Sequence, residues 1–375
     1  MLKTTFPTID RESSILGFGC MRFPTTPDGK IDEAEAIRMI RHAIDNGVTY
    51  IDTAYPYHGG ESEVVVGKAL QDGYREKVIL TTKLPCWSVH CHEDMMKLLD
   101  EQLEKLQTDH VDFYILHALN NGRLDEMNSY DYKGFYKEAL AQGKIRYPGF
   151  SFHDNAEAFL RVLNDWDQWK MAQVQMNILD DENQATLAGI REAGKRGIGV
   201  VIMEPLRGGM LANPPADVQA LYDAFPVKRS CVEWAFRYLY TMPEVKCILS
   251  GMSTMDQVMD NLRIFDAPAG ESLSAEETAL LAEVKETYLK RTKTRCTGCR
   301  YCQPCPMGVT IPAIFQGYDG VLLRGNGDFT KRYAEIIANE HDASRCVQCG
   351  QCEAACPQSL PIIQFLQEIH ADCTK

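Results

Sequence analysis

Apolar, β-rich runs alternate with amphipathic helical patterns through roughly the first 285 residues, and no other feature limits the possible folds as strongly. The runs that read as strands are ILGFGCM, VTYIDTA, VILTTKL, VDFYILHA, YPGFSF, MAQVQMN, GVVIMEPL and VKCILSGM. Between them, DEAEAIRMIRHAIDNG, SEVVVGKALQDG and HEDMMKLLDEQLEKLQ space their apolar residues as helices do. The segment NQATLAGIREAGKRG closes on Gly197, a common helix stop. Eight strands each followed by a helix predict an α/β fold, a (β/α)8 TIM barrel rather than an open doubly wound sheet. No GxGxxG follows the first strand, which counts against a Rossmann fold.

The remainder, 286–375, is of another kind. CTGCRYCQPCPMG (296–308) contains Cys296, Cys299, Cys302 and Cys305, and CVQCGQCEAACPQS (346–359) contains Cys346, Cys349, Cys352 and Cys356. Each series of cysteines ends in Cys-Pro. The second has the C-x2-C-x2-C-x3-C-P spacing of bacterial ferredoxins, and the first is one residue shorter before its last cysteine. In such pairs the fourth cysteine of each run serves the other cluster. That predicts one 4Fe–4S centre on Cys296, Cys299, Cys302 and Cys356, and a second on Cys346, Cys349, Cys352 and Cys305. C-x2-C pairs also bind zinc, but two C-x2-C-x2-C runs that both close on proline point to clusters. Between the runs, DFTKRYAEIIANE reads as a helix and resembles the insert of helical ferredoxin modules in larger respiratory and dehydrogenase complexes. The expected domains are a barrel over 1–285 and a small, mostly helical ferredoxin-like domain over 286–375.

Charge and cysteine usage narrow the setting. A net charge of −13 lacks the basic footprint that nucleic acid requires. No apolar stretch of about 18 residues is present to span a membrane, and MLKTTFPTIDRESS lacks the apolar core of a signal peptide. A disulfide framework is therefore not expected, a reducing cytoplasm is, and exposed clusters would suit an anaerobe. Segment 286–375 carries a net +1, which leaves −14 on the rest of the chain. The basic run LKRTKTRC (Lys290, Arg291, Lys293, Arg295) has two readings. It compensates thiolate ligands from an exposed linker, the simpler view, or it docks an acidic electron carrier such as a ferredoxin or flavodoxin.

In a (β/α)8 barrel, chemistry sits at the carboxyl ends of the strands. There the sequence places Asp52 after the second strand, Lys83 at the end of the third, and His117 at the end of the fourth. Ser151 ends the fifth, and Gln175 and Asn177 the sixth. Several polar groups converging on one rim from separate strands are hard to explain as packing. The segments DTAYPYHGGES, TTKLP, FYILHAL, GFSFH, QVQMN and MEPLRGGML, in this order and at fitting separations, resemble the aldo-keto reductases. With the cysteine runs appended, the chain is similar to the iron–sulfur-containing branch of that superfamily.

The resemblance implies a catalytic tetrad of Asp52, Tyr57, Lys83 and His117. The chemistry is intelligible without it. Hydride addition to a carbonyl leaves a developing alkoxide that needs a proton, and a phenol with a pKa near 10 keeps one at neutral pH. Lys83 is expected to lower that pKa, Asp52 to keep the amine charged and oriented, and His117 to position the carbonyl. The resemblance also implies nicotinamide contacts at Ser151 and Gln175 and a ring-stacking position at Met203. Pro205, Leu206, Arg207 and Gly209 would lie along the pyrophosphate, and Gly251, Gln257 and Asn261 would surround the adenosine, with Asn261 on adenine. Gln257 stands where NADPH-preferring members carry a cation, so NADH and NADPH both stay open, and a flavin has to be considered. Arg22 and Trp87 are candidates to line the substrate pocket. HCH (His90, Cys91, His92) invites a metal reading but has no fourth ligand at useful spacing.

The two parts conflict in their electron counts. A nicotinamide passes two electrons as hydride, whereas each cluster takes one at a time. The expectation is an oxidoreductase that reduces a small carbonyl or related unsaturated compound, with Tyr57 as proton donor and the clusters as electron relay. The alternative is an electron-transfer or redox-sensing protein in which the barrel is a nucleotide- or flavin-binding scaffold and the clusters are structural or regulatory.

Overall fold

The computed structural model describes residues 1–375 except 8, 10, 267–271, 297, 299, 301, 326, 357 and 358. Two short strands, β1 (Lys3–Thr5) and β2 (Glu12–Ser14), pair antiparallel. They are followed by β3 (Leu16–Gly19), β4 (Tyr50–Asp52), β5 (Ile79–Leu84), β6 (Val111–Leu119) and β7 (Ile145–Phe152). The last three are β8 (Met171–Gln175), β9 (Gly199–Met203) and β10 (Val245–Ser250). Strands β3 to β10 pair in parallel in chain order, and β10 closes on β3. Every run read as a strand coincides with or overlaps one of these eight, so the barrel expected from the alternation is borne out.

Burial explains the composition of the strands. All six positions of β5 are buried, as a parallel strand covered on both faces requires, and its one ionisable residue is Lys83. At the amino-terminal end, the β1–β2 hairpin carries Phe6 and Ile9 into a core with Tyr50, Phe113, Met171 and Val201. This plug fits because Gly199 opens β9: a Cβ there would stand 2.3 Å from a ring carbon of Phe6. Among the helices, Glu33–Asp45 begins at Asp32, whose side chain accepts the Glu35 amide. Thr186–Lys195 ends two residues before Gly197, which takes φ 73° in the turn toward β9.

The chain forms two compact units, Met1–Arg207 with Ala235–Leu273, and Gly208–Trp234 with Ser274–Lys375. The first contains the barrel. In the second, helix Ala275–Arg291 opens with a reciprocal cap between Ser274 and Glu277. Helices Ile311–Arg324, Thr330–Ala338 and Ile362–Cys373 follow. Val309, Ile314, Phe315, Tyr333, Leu366 and Ile369 are among the residues that form its core. Cys296, Cys302, Cys305, Cys346, Cys352 and Cys356 pack against that core. Among the described residues, no helix is long and apolar enough to cross a membrane.

Candidate active site and cluster ligands

Parallel pairing brings the four tetrad residues to one rim. Asp52 ends β4, in register with Gly19 on β3 and Thr81 on β5, and Lys83 lies one residue from the end of β5. Lys83 is fully buried, and its Nζ donates to Asp52 Oδ1 at 2.7 Å and to the Thr53 carbonyl at 2.7 Å. Tyr57 opens the short helical turn Tyr57–Gly60, with its ring centroid 4.9 Å from Lys83 Nζ. His117 stands two residues inside β6, not at its end. There the β6–β7 register shifts between Leu116 and Leu119, and Ala118 takes φ 56°. The His117 ring meets Tyr57 edge-on at 6.2 Å between centroids.

Burial sets the protonation of these groups. It would lower Lys83, but the Asp52 carboxylate and Tyr57 beside it more than offset that, and the ammonium is held above its ordinary value. Burial raises the Asp52 carboxyl, and Lys83 opposes the rise. Tyr57 is also raised, by burial first, with the Lys83 ammonium pulling the other way. The expectation of a lowered tyrosine pKa is thus corrected for the resting site: desolvation of the phenol is the larger effect, and Lys83 limits the rise. His117 is pushed down to about 2 by burial, with the charges of Lys83 and Arg123 and the nearby His153 adding to it. It is a neutral imidazole, its Nδ1 buried without a hydrogen-bond partner.

The residues expected around a nicotinamide are divided in their bonding. Ser151 Oγ accepts the Ala118 amide at 2.7 Å, which leaves its own O–H to donate. Gln175 ends β8 with Nε2 on Asp180 Oδ2 at 2.8 Å and Oε1 accepting from Gln184 Nε2 at 3.0 Å. Asn177 Nδ2 also donates to Asp180 Oδ2 (2.8 Å), and Arg207 Nε lies 3.3 Å from the same oxygen. Asp180, which has no motif to announce it, therefore gathers three groups of the rim. Met203 ends β9 half-buried, Pro205 is buried and Leu206 half-buried, while Glu204 and Arg207 take left-handed φ values of 56° and 49°. Gly209, at φ 87°, belongs to the second unit.

Beyond β10, the polar groups expected on adenosine are used within the fold. Gln257 Oε1 accepts the Ser253 amide at 2.7 Å, and buried Asn261 donates to Ser250 Oγ at 2.8 Å. Gly251 lies under the Arg22 side chain: a Cβ would meet Arg22 Cγ at 3.3 Å. Arg22 itself is 3.8 Å from Glu204. Trp87 is exposed at the rim, 5.0 Å from the His117 ring. The HCH segment assembles nothing. His92 Nδ1 faces the Tyr130 carbonyl at 2.9 Å, and among the described residues no three His, Cys, Asp or Glu side chains converge on a single ion position.

In the second unit, a cavity of about 180 Å³ is lined by Cys305, Cys346, Cys349 and Cys352, with Cys302, Val309, Ile311 and Leu366 among its other walls. Thiols spread around one cavity suit the corners of a polynuclear cluster rather than one tetrahedral ion. Cys299 lies outside the described residues, while Cys296 and Cys356 are half-buried. The approach to Cys296 is fixed by a residue with no motif. The buried Asp319 carboxylate accepts the amides of Lys293 (2.8 Å), Thr294 (3.1 Å) and Arg295 (2.9 Å) and the Thr294 hydroxyl (2.6 Å). Thr294 Oγ1 in turn accepts the Cys296 amide at 3.2 Å. In the basic run, Arg291 pairs with Asp217 at 2.8 Å and Lys293 with Glu368 at 2.6 Å, so two of its cations are balanced inside the unit.

Comparison with known proteins agrees with both halves. Residues 15–286 match the aldo/keto reductase family and residues 295–360 match the 4Fe-4S dicluster domain. The chain is 40% identical to "Aldo-keto reductase YhdN" of Bacillus subtilis over 114 residues, 28% of this chain and 34% of that one. It is 26% identical to the "Uncharacterized oxidoreductase YqkF" of the same organism over 324 residues, 77% of this chain and 99% of that one. Among solved structures, the holo form of aldo-keto reductase AKR11C1 from Bacillus halodurans superimposes with a TM-score of 0.64 at 27% identity, covering 76% of this chain and 96% of that one. This protein belongs to the aldo/keto reductase family, and a helical, ferredoxin-like 4Fe–4S domain follows its barrel.

Proposed function

We propose that the protein reduces a small carbonyl or related unsaturated compound, with Tyr57 as proton donor and the clusters as a single-electron relay. The observation that carries this reading is the buried Lys83–Asp52 ion pair set against the Tyr57 ring, with neutral His117 opposite. A reduced nicotinamide, when bound, supplies hydride, and 4Fe–4S clusters supply single electrons. Ser151 fits such a nicotinamide, since its free hydroxyl hydrogen suits a carboxamide oxygen; Gln175 and Arg207 fit it on release from Asp180. The cysteine-lined cavity fits a cluster on Cys305, Cys346, Cys349 and Cys352. By the same ligand exchange, Cys296, Cys299, Cys302 and Cys356 would hold the other.

The chain's own residues account for the proton. His117 is neutral across the physiological range and can donate from Nε2 to a carbonyl oxygen, which polarises it and sets it beside the Tyr57 hydroxyl. As negative charge develops on that oxygen, the Tyr57 O–H bond breaks and its proton moves to the substrate. The Lys83 ammonium stabilises the phenolate left behind, and Asp52 keeps the ammonium charged and in place. Because Tyr57 is raised above 10 and His117 lies at about 2, neither titrates near neutrality. Turnover should then be flat from about pH 6 to pH 9 and fall only as pH rises through the tyrosine. A kcat profile with an inflection near 6.5 would contradict this assignment of His117.

Replacing Tyr57 by Phe should abolish carbonyl turnover and leave the iron–sulfur absorbance unchanged; retained turnover would overturn the role. Cluster reduction on adding nucleotide, with no carbonyl turnover in the unaltered protein, would favour the electron-transfer alternative. Asp319→Ala tests how the first cysteine run is held. It leaves three amides without their acceptor, and iron and sulfide analysis after anaerobic purification should show loss confined to one cluster.

A further inference from the structure

The tetrad explains a proton and leaves the substrate open, but the rim beside it holds a cation that the mechanism above does not use. Arg123 lies in the first turn of helix Asn121–Ser129, its amide held at 2.9 Å by the Asn120 side chain that caps the helix. One guanidinium N–H donates to the Ala118 carbonyl at 2.7 Å, which fastens the group to the end of β6 next to His117. Its Cζ lies 5.5 Å from the Trp87 ring, Trp87 lies 5.0 Å from the His117 ring, and His117 lies 6.2 Å from Tyr57. These contacts make one continuous wall leading from the proton donor to a positive charge.

The other arginines of this rim are paired. Arg207 has Asp180 at 3.3 Å, and Arg22 has Glu204 at 3.8 Å. Among the described residues, no carboxylate lies within ion-pair distance of Arg123, and the first turn of its helix carries no acidic residue. A guanidinium has five N–H donors in a rigid fork, and the bond to Ala118 uses one. Its charge reaches the catalytic side of the rim, where it contributes to the depressed values of both His117 and His153.

We infer that Arg123 is an anion subsite and that the substrate carries a carboxylate, separated from its reducible carbonyl by an apolar body that lies along Trp87. This rests on the carbonyl-reductase reading and adds the substrate class to it. The reduction itself is unchanged: the carbonyl carbon gains hydride, the oxygen gains the Tyr57 proton, and the carboxylate stays ionised throughout.

The probes are 4-carboxybenzaldehyde and benzaldehyde, assayed with NADPH and with NADH on the full chain, unaltered and as Arg123→Gln. The ratio of kcat/KM for the acid over that for the neutral aldehyde should fall roughly 30-fold in the variant, the effect of losing hydrogen bonds to a charged group. Arg123→Lys, which keeps the charge and loses the fork, should fall in between. An unchanged ratio overturns the proposal whatever the absolute rates, because a residue that only supports Ala118 would slow both aldehydes alike. Binding provides a reading independent of turnover. Titration with benzoate and with benzamide, followed by tryptophan fluorescence, should show tighter benzoate binding that Arg123→Gln abolishes. If neither aldehyde is turned over by the unaltered protein, the carbonyl-reductase reading fails, and the benzoate titration still decides the subsite.

Discussion

Lys83→Met is expected to lower carbonyl turnover about a thousandfold, within the range of acid–base catalysis by a positioned side chain. The loss should not come from a wrongly protonated tyrosine. Burial already holds Tyr57 above its ordinary value, and removal of the ammonium raises it further, so the phenol still carries its proton. What disappears is stabilisation of the phenolate that forms as the proton leaves. The variant should therefore bind substrate nearly as before and lose kcat, a split that steady-state kinetics will show. Comparable loss confined to KM would mean that Lys83 shapes the pocket instead.

The same substitution exposes a cost to folding. Asp52 is buried, and without Lys83 it has no counter-charge; breaking a buried pair in this way costs about 3–5 kcal/mol. The carboxyl responds by holding its proton more tightly than its already raised value implies. Its folded pKa then lies above the unfolded value, so the native state binds more protons and stability rises as pH falls through that folded pKa. Lys83→Met should unfold at lower denaturant at pH 8 than at pH 5.5. Asp52→Asn combined with Lys83→Met should recover much of the stability and none of the activity, which separates chemistry from folding.

The parts of this protein that were legible in the sequence are those written in short, contiguous patterns. Each barrel strand is an apolar run, and Asp52, Lys83, His117 and Ser151 stand out because a polar residue near the carboxyl end of such a run has few structural reasons to be there. The parts that were not legible are made by residues far apart in the chain. Asp180 matters because Gln175 and Arg207, on different strands and their loops, both turn to it. Asp319 matters because it meets the amides of 293–295 from a separate helix. Arg123 follows His117 by six residues in NNGR, a segment that reads as an ordinary helix start, and its place beside Trp87 depends on packing across two βα loops. The β1–β2 hairpin escapes because three-residue strands carry almost no alternation. The direction of the Tyr57 shift escapes for a different reason. Spacing announces the lysine that lowers a pKa, whereas the burial that raises it exists only in the folded site.

Pairs of cysteine replacements should decide how the ligands are shared, and the expected result is asymmetric. Cys305→Ala with Cys349→Ala removes two ligands from one centre if Cys305 is lent across, so about four irons per chain should remain. If each run holds its own cluster, the same pair damages both centres and little iron survives. Cys302→Ala with Cys305→Ala reverses the comparison: exchanged ligands predict the loss of both clusters, and separate runs predict that one survives. The cavity brings Cys302 and Cys305 of the first run to the same walls as Cys346, Cys349 and Cys352 of the second, so cysteines of both runs meet around it and the double variants decide which of them share a centre. The Gln303 side chain donates to the Val309 carbonyl at 2.9 Å, which ties the first run to the core of this unit. Iron analysis with electron paramagnetic resonance of the reduced variants reads the outcome without any enzymatic assay. Equal iron in the two double variants would exclude both schemes.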